Sequence, residues 1–258
     1  MPGADTSLAW VHLPGRSPAV VFLPGLRSDM RGTKALETAA FCRATGQACL
    51  RLDYSGHGAS GGAFTDGTIG VWTADAVSVV DRISGPLILV GSSMGGWIAL
   101  LLALARPGRV VGLIGIAAAP DFTEDMMWAA MLPAERARLL ADGVIHAPSE
   151  YGEDLPITRA LIEDGRTRLV LRAPIPLRCP VRLLQGQRDP DVPWETALRL
   201  ATRLDSTDVR VTLIKDGDHR LSRPQDLALL RASLAELLGA AGGESGGEAL
   251  PIGGVAPA

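Results

Sequence analysis

The chain has 258 residues, 47% of them apolar, 21% charged and 4% aromatic, with a formal charge of −3. That balance supports a sizeable hydrophobic core and excludes fibrous, collagen-like and wholly disordered chains. The 25 basic residues, nearly all arginine with Lys34 and Lys215 the only lysines, are scattered along the chain, so no footprint for nucleic acid or an anionic membrane is visible.

Short apolar runs alternate with helix-period patterns, which predicts an α/β chain with a mostly parallel, doubly wound sheet. In chain order the reading gives strands over 7–13 and 19–23, a helix over 33–45, a strand over 47–52 and a helix over 67–83. Next come a strand over 86–90, a helix over 94–105, a strand over 110–116, and no strand pattern at all between Pro120 and Pro180. That interval carries helical stretches over 123–132, 134–142 and 157–171, and reads as an inserted helical lid. The alternation resumes with a strand over 181–185, a helix over 195–204, a strand over 209–214 and a helix over 224–238. The expected division is therefore a core of 1–119 and 180–239, a lid of 120–179, and a disordered, Gly-rich tail of 240–258.

The apolar run over 97–105 falls far short of the roughly 20 residues a membrane span needs. The first residues lack the basic start and apolar stretch of a signal peptide and the pattern of a transit peptide, so a cytoplasmic location is expected. Cys42, Cys49 and Cys179 have no zinc or redox spacing and read as reduced, packed thiols.

The sharpest motif is Gly91-Ser92-Ser93-Met94-Gly95, between an apolar strand and a helical run. A sharp strand-to-helix turn strains the backbone at Ser93 and requires neighbours without side chains two places away, which Gly91 and Gly95 supply. Ser93 is thus the candidate nucleophile, projecting its hydroxyl at the positive end of the following helix. A serine hydroxyl needs a general base held by a third group. Of His12, His57, His146 and His219, only His219 lies in a loop after a late strand, in the chain order Ser, acid, His.

For the acid, two aspartates follow the strand over 181–185. Asp189 sits directly after it in a turn stiffened by Pro190; Asp191 lies nearer the next helix start and reads as structural. Asp216 and Asp218, beside His219, read as solvated loop charges. The oxyanion of acyl transfer needs two backbone N–H donors, expected from Met94 and from Leu26 in the Pro24-Gly25-Leu26 turn. Asp53 and His57, in the Gly-rich loop after the third strand, allow a pocket role or a structural one, the latter favoured. No cluster has metal-ligand spacing, and no metal or cofactor is expected.

With Phe22-Leu23-Pro24-Gly25-Leu26, the serine elbow, Asp189 and His219 in order, the chain resembles an α/β-hydrolase. More narrowly, it resembles the family of the mitochondrial acyl-protein thioesterase and acyl-glucuronide esterase with its bacterial relatives. The segments that carry this are Pro24 to Met30, Asp53 to Gly62, Gly91 to Trp97, Ala119 to Asp125 and Lys215 to Ser222. The resemblance implies serine hydrolysis of S-acyl thioesters or carboxylic esters through Ser93, Asp189 and His219. The expected substrate is a small ester or acyl thioester, or an acylated protein, with no nucleic acid and no stable membrane insertion. Other uses of the same triad stay open: C–C bond hydrolysis, haloperoxidase-like chemistry and peptide hydrolysis. A non-catalytic receptor on a hydrolase fold is the reading from another class. In the lid, Met127 and Trp128 lie within an apolar helical stretch and are expected either to line an acyl pocket or to anchor the lid.

Overall fold

A computed structural model describes residues 7–148 and 154–243. Its centre is a seven-stranded sheet built from β1 (Trp10–Leu13), β2 (Arg16–Leu23), β3 (Gln47–Leu52), β4 (Leu87–Ser92), β5 (Val110–Ile116), β8 (Val181–Gly186) and β9 (Val209–Ile214), in the order β1-β3-β2-β4-β5-β8-β9. Only β1 runs antiparallel to its neighbour; every other pairing in this sheet is parallel. Every strand expected for the core is present.

Strand alternation divides the apolar side chains between two faces. Val20, Phe22, Ile88, Val90, Ile114 and Ile116 meet α1 (Thr33–Thr45) and α7 (Pro224–Gly243) through Ala35, Ala39, Cys42, Leu230, Leu234 and Leu237. Val21, Leu23, Leu87, Leu89, Leu113 and Leu183 pack against α2 (Ile69–Val80), α3 (Met94–Ala105) and α6 (Glu195–Arg203). The chain is therefore doubly wound, and a ligand is expected at the carboxyl ends of the parallel strands. At the open edge, Arg210 of β9 is exposed and forms an ion pair with Glu236 of α7. Beside it the buried Arg182 binds Asp208 at 2.9 Å and Glu236 at 3.0 Å.

The segment between Pro120 and Pro180 departs from the sequence reading in its strands and in one helix. Besides a π-helical turn (Thr123–Trp128), α4 (Pro133–Asp142) and α5 (Arg159–Arg166), it contains an antiparallel hairpin of β6 (Val144–Ala147) and β7 (Leu155–Thr158). Strands of four residues give too little alternation to read, and Pro156 opposite His146 reads as a breaker although a two-stranded ribbon tolerates it. The helix expected over 157–171 spans only Arg159–Arg166: Thr158 caps its start, its Oγ1 accepting from the Leu161 N–H at 3.0 Å, and Thr167 closes it. Met131, Leu139, Ile145, Ile157 and Ile162 form a small core of the segment's own.

The terminal helix continues to Gly243, past the expected start of the tail at 240; the rest of that expected tail, residues 244–258, lies outside the described residues. Cys42 and Cys49 are buried and unbridged, and burial pushes the half-buried Cys179 thiol up to about 11. Among the described residues, no helix is long and apolar enough to cross a membrane.

Candidate active site

Ser93 stands between β4 and α3 with φ 53° and ψ −120°, a conformation that costs on the order of 1–3 kcal/mol for a residue with a side chain. The turn is tight because α3 is pressed against the end of β2: a Cβ on Gly95 would lie 2.0 Å from the Leu23 carbonyl oxygen. The same packing sets the Pro24-Gly25-Leu26 turn against the serine, since a Cβ on Gly25 would lie 3.3 Å from the Ser93 Cβ. Met94, as the first residue of α3, has an N–H with no acceptor inside the helix. The two amides expected to stabilise an oxyanion thus belong to segments that flank Ser93.

His219 reaches this point from the loop after β9. Its Nε2 lies 3.1 Å from Ser93 Oγ and its Nδ1 lies 2.9 Å from Asp189 Oδ2. A carboxylate only accepts, so Nδ1 carries the proton and Nε2 is left to accept from the serine hydroxyl. The two loops meet by close backbone approach: a Cβ on Gly186 would lie 2.3 Å from the Gly217 carbonyl oxygen. The Asp189 side chain is fully buried, and burial works to raise its pKa. The hydrogen bond and charge of His219, with the Val192 and Asp191 amides, outweigh that, and the carboxyl sits below its ordinary value.

The structure separates the two aspartates. Asp189 faces His219, whereas Asp191 is exposed in the turn and gives its backbone N–H to Asp189 Oδ1 at 2.9 Å. The next helix, α6, starts at Glu195 as expected, four residues beyond Asp191. Asp189, Asp191 and His219 each offer a ligand atom within 4.8 Å of the others, and the Asp189–His219 hydrogen bond accounts for the approach of those two. Asp216 pairs with Arg223 at 2.7 Å, and Asp218 accepts from the Leu221 N–H at 2.9 Å, so the two loop charges shape the segment around His219. Lys34 of α1 adds a tether, its ammonium donating to the Arg220 carbonyl and lying 3.5 Å from Ser222 Oγ. Burial lowers its pKa to about 8, and neither of these loop contacts was legible in the sequence.

Asp53 and His57 support the site without touching Ser93 or His219. Asp53 accepts from the Met30 N–H at 2.7 Å and the Ala59 N–H at 2.9 Å, while the neighbouring Tyr54 hydroxyl donates to the Pro24 carbonyl at 3.3 Å. His57 is buried among Tyr54, Phe64 and Trp72, and burial lowers its pKa. A cavity of about 380 Å³ opens beside the Leu26 turn, lined by Arg27, Phe64, His146, Asp154 and Pro156. Met127 and Trp128 are not among those residues. Met127 packs between the main core and the insertion's own core, and the guanidinium groups of Arg136 and Arg166 lie over the Trp128 ring, 5.0 and 4.4 Å from its centroid.

The model of a family described as alpha/beta hydrolase matches residues 20–229. The chain belongs to the alpha/beta-hydrolase family. This hydrolase is 42% identical over 236 residues to the human protein named palmitoyl-protein thioesterase ABHD10, mitochondrial, covering 90% of this chain and 76% of that one. Among solved structures, a putative hydrolase from Agrobacterium vitis S4 superposes with a TM-score of 0.89 at 46% identity, over 92% of this chain and 95% of that chain. The mouse alpha/beta hydrolase domain-containing protein 10 superposes with a TM-score of 0.85 at 38% identity, over 93% and 98%. The family resemblance read from the sequence motifs is thereby established, and with it the expectation of an enzyme. The cytoplasmic location expected from the N-terminal sequence is overturned, because the relatives at 41–42% identity are mitochondrial by name.

Proposed function

We propose that this hydrolase cleaves S-acyl thioesters and carboxylic esters through an acyl-enzyme formed on Ser93. Ser93 Oγ attacks the acyl carbonyl carbon while its proton passes to His219 Nε2; Asp189 holds the ring and offsets the imidazolium charge. The tetrahedral oxyanion accepts hydrogen bonds from the Leu26 and Met94 N–H groups, each worth about 10²–10³ in rate at comparable sites. Collapse expels the thiol or alcohol, which takes the proton from His219, and water attacking the acyl-enzyme returns the acid product and free Ser93 by the same proton route. The observation that carries the reading is the unbroken contact from Asp189 through His219 to a serine held at positive φ.

The segment 120–179 serves as the cover of the site. The Asp154 carbonyl accepts from Arg27 Nη1 at 3.4 Å, so the hairpin meets the turn that carries Leu26. The acyl group or leaving group enters the cavity between them, and Met127 and Trp128 anchor the cover. The relative named a palmitoyl-protein thioesterase makes an acylated protein a candidate substrate beside small acyl thioesters.

The test pairs fluorophosphonate labelling with hydrolysis of p-nitrophenyl esters and acyl-CoA thioesters of graded length. Wild-type protein is expected to be labelled and to turn over both classes. Ser93→Ala is expected to lose the label and about 10⁶ in kcat while keeping its circular dichroism spectrum. Near-wild-type turnover by Ser93→Ala would end the assignment.

A further inference from the structure

The acid of the proposed relay is held by more than its histidine. Asp189 Oδ1 accepts from the Asp191 N–H at 2.9 Å and the Val192 N–H at 2.8 Å, and Oδ2, besides facing His219, accepts from Gln185 Nε2 at 3.0 Å. Gln185 lies near the carboxyl end of β8 and is fully buried. The same Nε2 lies 3.2 Å from the Val192 carbonyl and 3.3 Å from that of Gly186. One amide group therefore spans the turn from 186 to 192, touching the acid and the backbone that carries it.

The other end of the side chain is costly. Gln185 Oε1 is buried among the described residues without a hydrogen-bond partner, so it has lost its water contacts and gained nothing in return. Turning the amide over gives no relief, because the oxygen would then face the Asp189 carboxylate and the Val192 carbonyl, acceptors all. An apolar side chain of the same length would fill the space without the orphaned atom. The donor is the one property of glutamine that the site uses.

We propose that Gln185 is a positioning residue for the acid, its Nε2 amide fixing the rotation of the Asp189 carboxylate so that Oδ2 stays aimed at His219 Nδ1. The two backbone amides anchor Oδ1 alone; without Gln185 the only side-chain donor on Oδ2 among the described residues is the histidine that the carboxylate is meant to orient. The inference rests on the relay proposed above and adds a residue acting through Asp189 without contacting substrate.

The test uses the full chain and a short p-nitrophenyl ester. Gln185→Met, unbranched and of similar length, removes the donor and the orphaned oxygen together. Its kcat is expected to fall about 10- to 100-fold, with KM changed less than about twofold and the melting temperature unchanged or higher. In an Asp189→Ala background, where the carboxylate is gone, adding Gln185→Met is expected to change kcat by less than about twofold. An unaffected kcat, an effect on KM alone, or losses that multiply in the double variant would each overturn the proposal. Should Gln185→Met fail to fold, Gln185→Asn, which keeps the amide but draws it back by one methylene, is read by the same criteria. Ser93→Ala run in parallel separates the two failures. Full turnover there sinks the relay itself, whereas a dead Ser93→Ala beside an unaffected Gln185→Met sinks only the positioning role.

Discussion

Two regions of this hydrolase are built on different rules. At the carboxyl ends of β4 and β8, backbone approaches backbone so closely that side chains are excluded, and the polar groups of the relay are held by hydrogen bonds of 2.8–3.1 Å. In the segment from Pro120 to Pro180, short elements share a small core and are tied at the base by polar links. Asp121 accepts from the Val170 and Leu171 N–H groups at 2.8 and 3.0 Å, Asp125 pairs with Arg172 and Arg199, and Glu124 pairs with Arg166 at 2.6 Å. The candidate catalytic groups stand where geometry is enforced by sterics. The proposed cover is held by a handful of side-chain contacts.

The largest expected effect tests the first region at its least redundant point. Asp189→Asn is expected to lower kcat by about 10⁴ by favouring the wrong histidine tautomer, while Asp191→Asn, which keeps the backbone N–H that Asp189 Oδ1 accepts, is expected to stay within a few-fold. Steady-state kinetics on one ester decides between them, and the reverse ranking would move the acid to Asp191.

Next in size is the steric rule itself. Gly95→Ala would bring a methyl group to 2.0 Å from the Leu23 carbonyl oxygen, and the clash is with backbone, so neither side can yield cheaply. A loss of about 3 kcal/mol or more is expected in urea unfolding, or no soluble protein at all. A stable, active Gly95→Ala would mean that the elbow is far less tightly packed.

The second region yields a smaller effect that separates support from recognition. Trp128→Ala loses two guanidinium–ring contacts and ring burial, for about 1–3 kcal/mol of stability, and is expected to leave the acyl chain-length optimum in place. Phe64→Ala enlarges the cavity beside the Leu26 turn and is expected to shift that optimum towards longer chains. Each methylene that finds apolar surface is worth up to about 0.8 kcal/mol, or roughly fourfold in kcat/KM. A shift in Trp128→Ala with none in Phe64→Ala would return the acyl site to the Met127–Trp128 face.

The smallest effect is a pH slope. Lys34 titrates near pH 8 in the folded chain and near 10.4 when unfolded. Between those values the unfolded chain binds the extra proton, so stability is expected to rise with pH there, by less than about 1.4 kcal/mol per unit. Below pH 8 both states are charged and Lys34 adds no slope. Urea midpoints at pH 8, 9 and 10 should show the rise in the wild type and its loss in Lys34→Met.

What was legible in the sequence follows the same division. Ser93, Asp189 and His219 could be placed because strand, tight turn and helix leave a local signature, and because the order of the three along the chain is fixed by the topology. The choice between Asp189 and Asp191 rested on one turn, and α6 begins at Glu195, where the periodicity places it. The hairpin of β6 and β7 left no trace because its strands are too short for periodicity. The cavity residues Arg27, Phe64, His146, Asp154 and Pro156 come from three separate segments, and no local pattern joins them. Gln185 and Lys34 were hidden for a related reason, as their partners are set by how loops fold back onto them.

The outer strand of the sheet bears on how the protein behaves at high concentration. Among the described residues β9 has no neighbouring strand on one side, and apart from Arg210 and Thr212 its residues are Val209, Val211, Leu213 and Ile214. Such a run is a template for pairing with another chain, and a charge in its middle is the usual deterrent. Arg210, the exposed charge of that strand and paired with Glu236, is expected to act as such a deterrent, and its removal is expected to register first as light scattering and not as lost turnover.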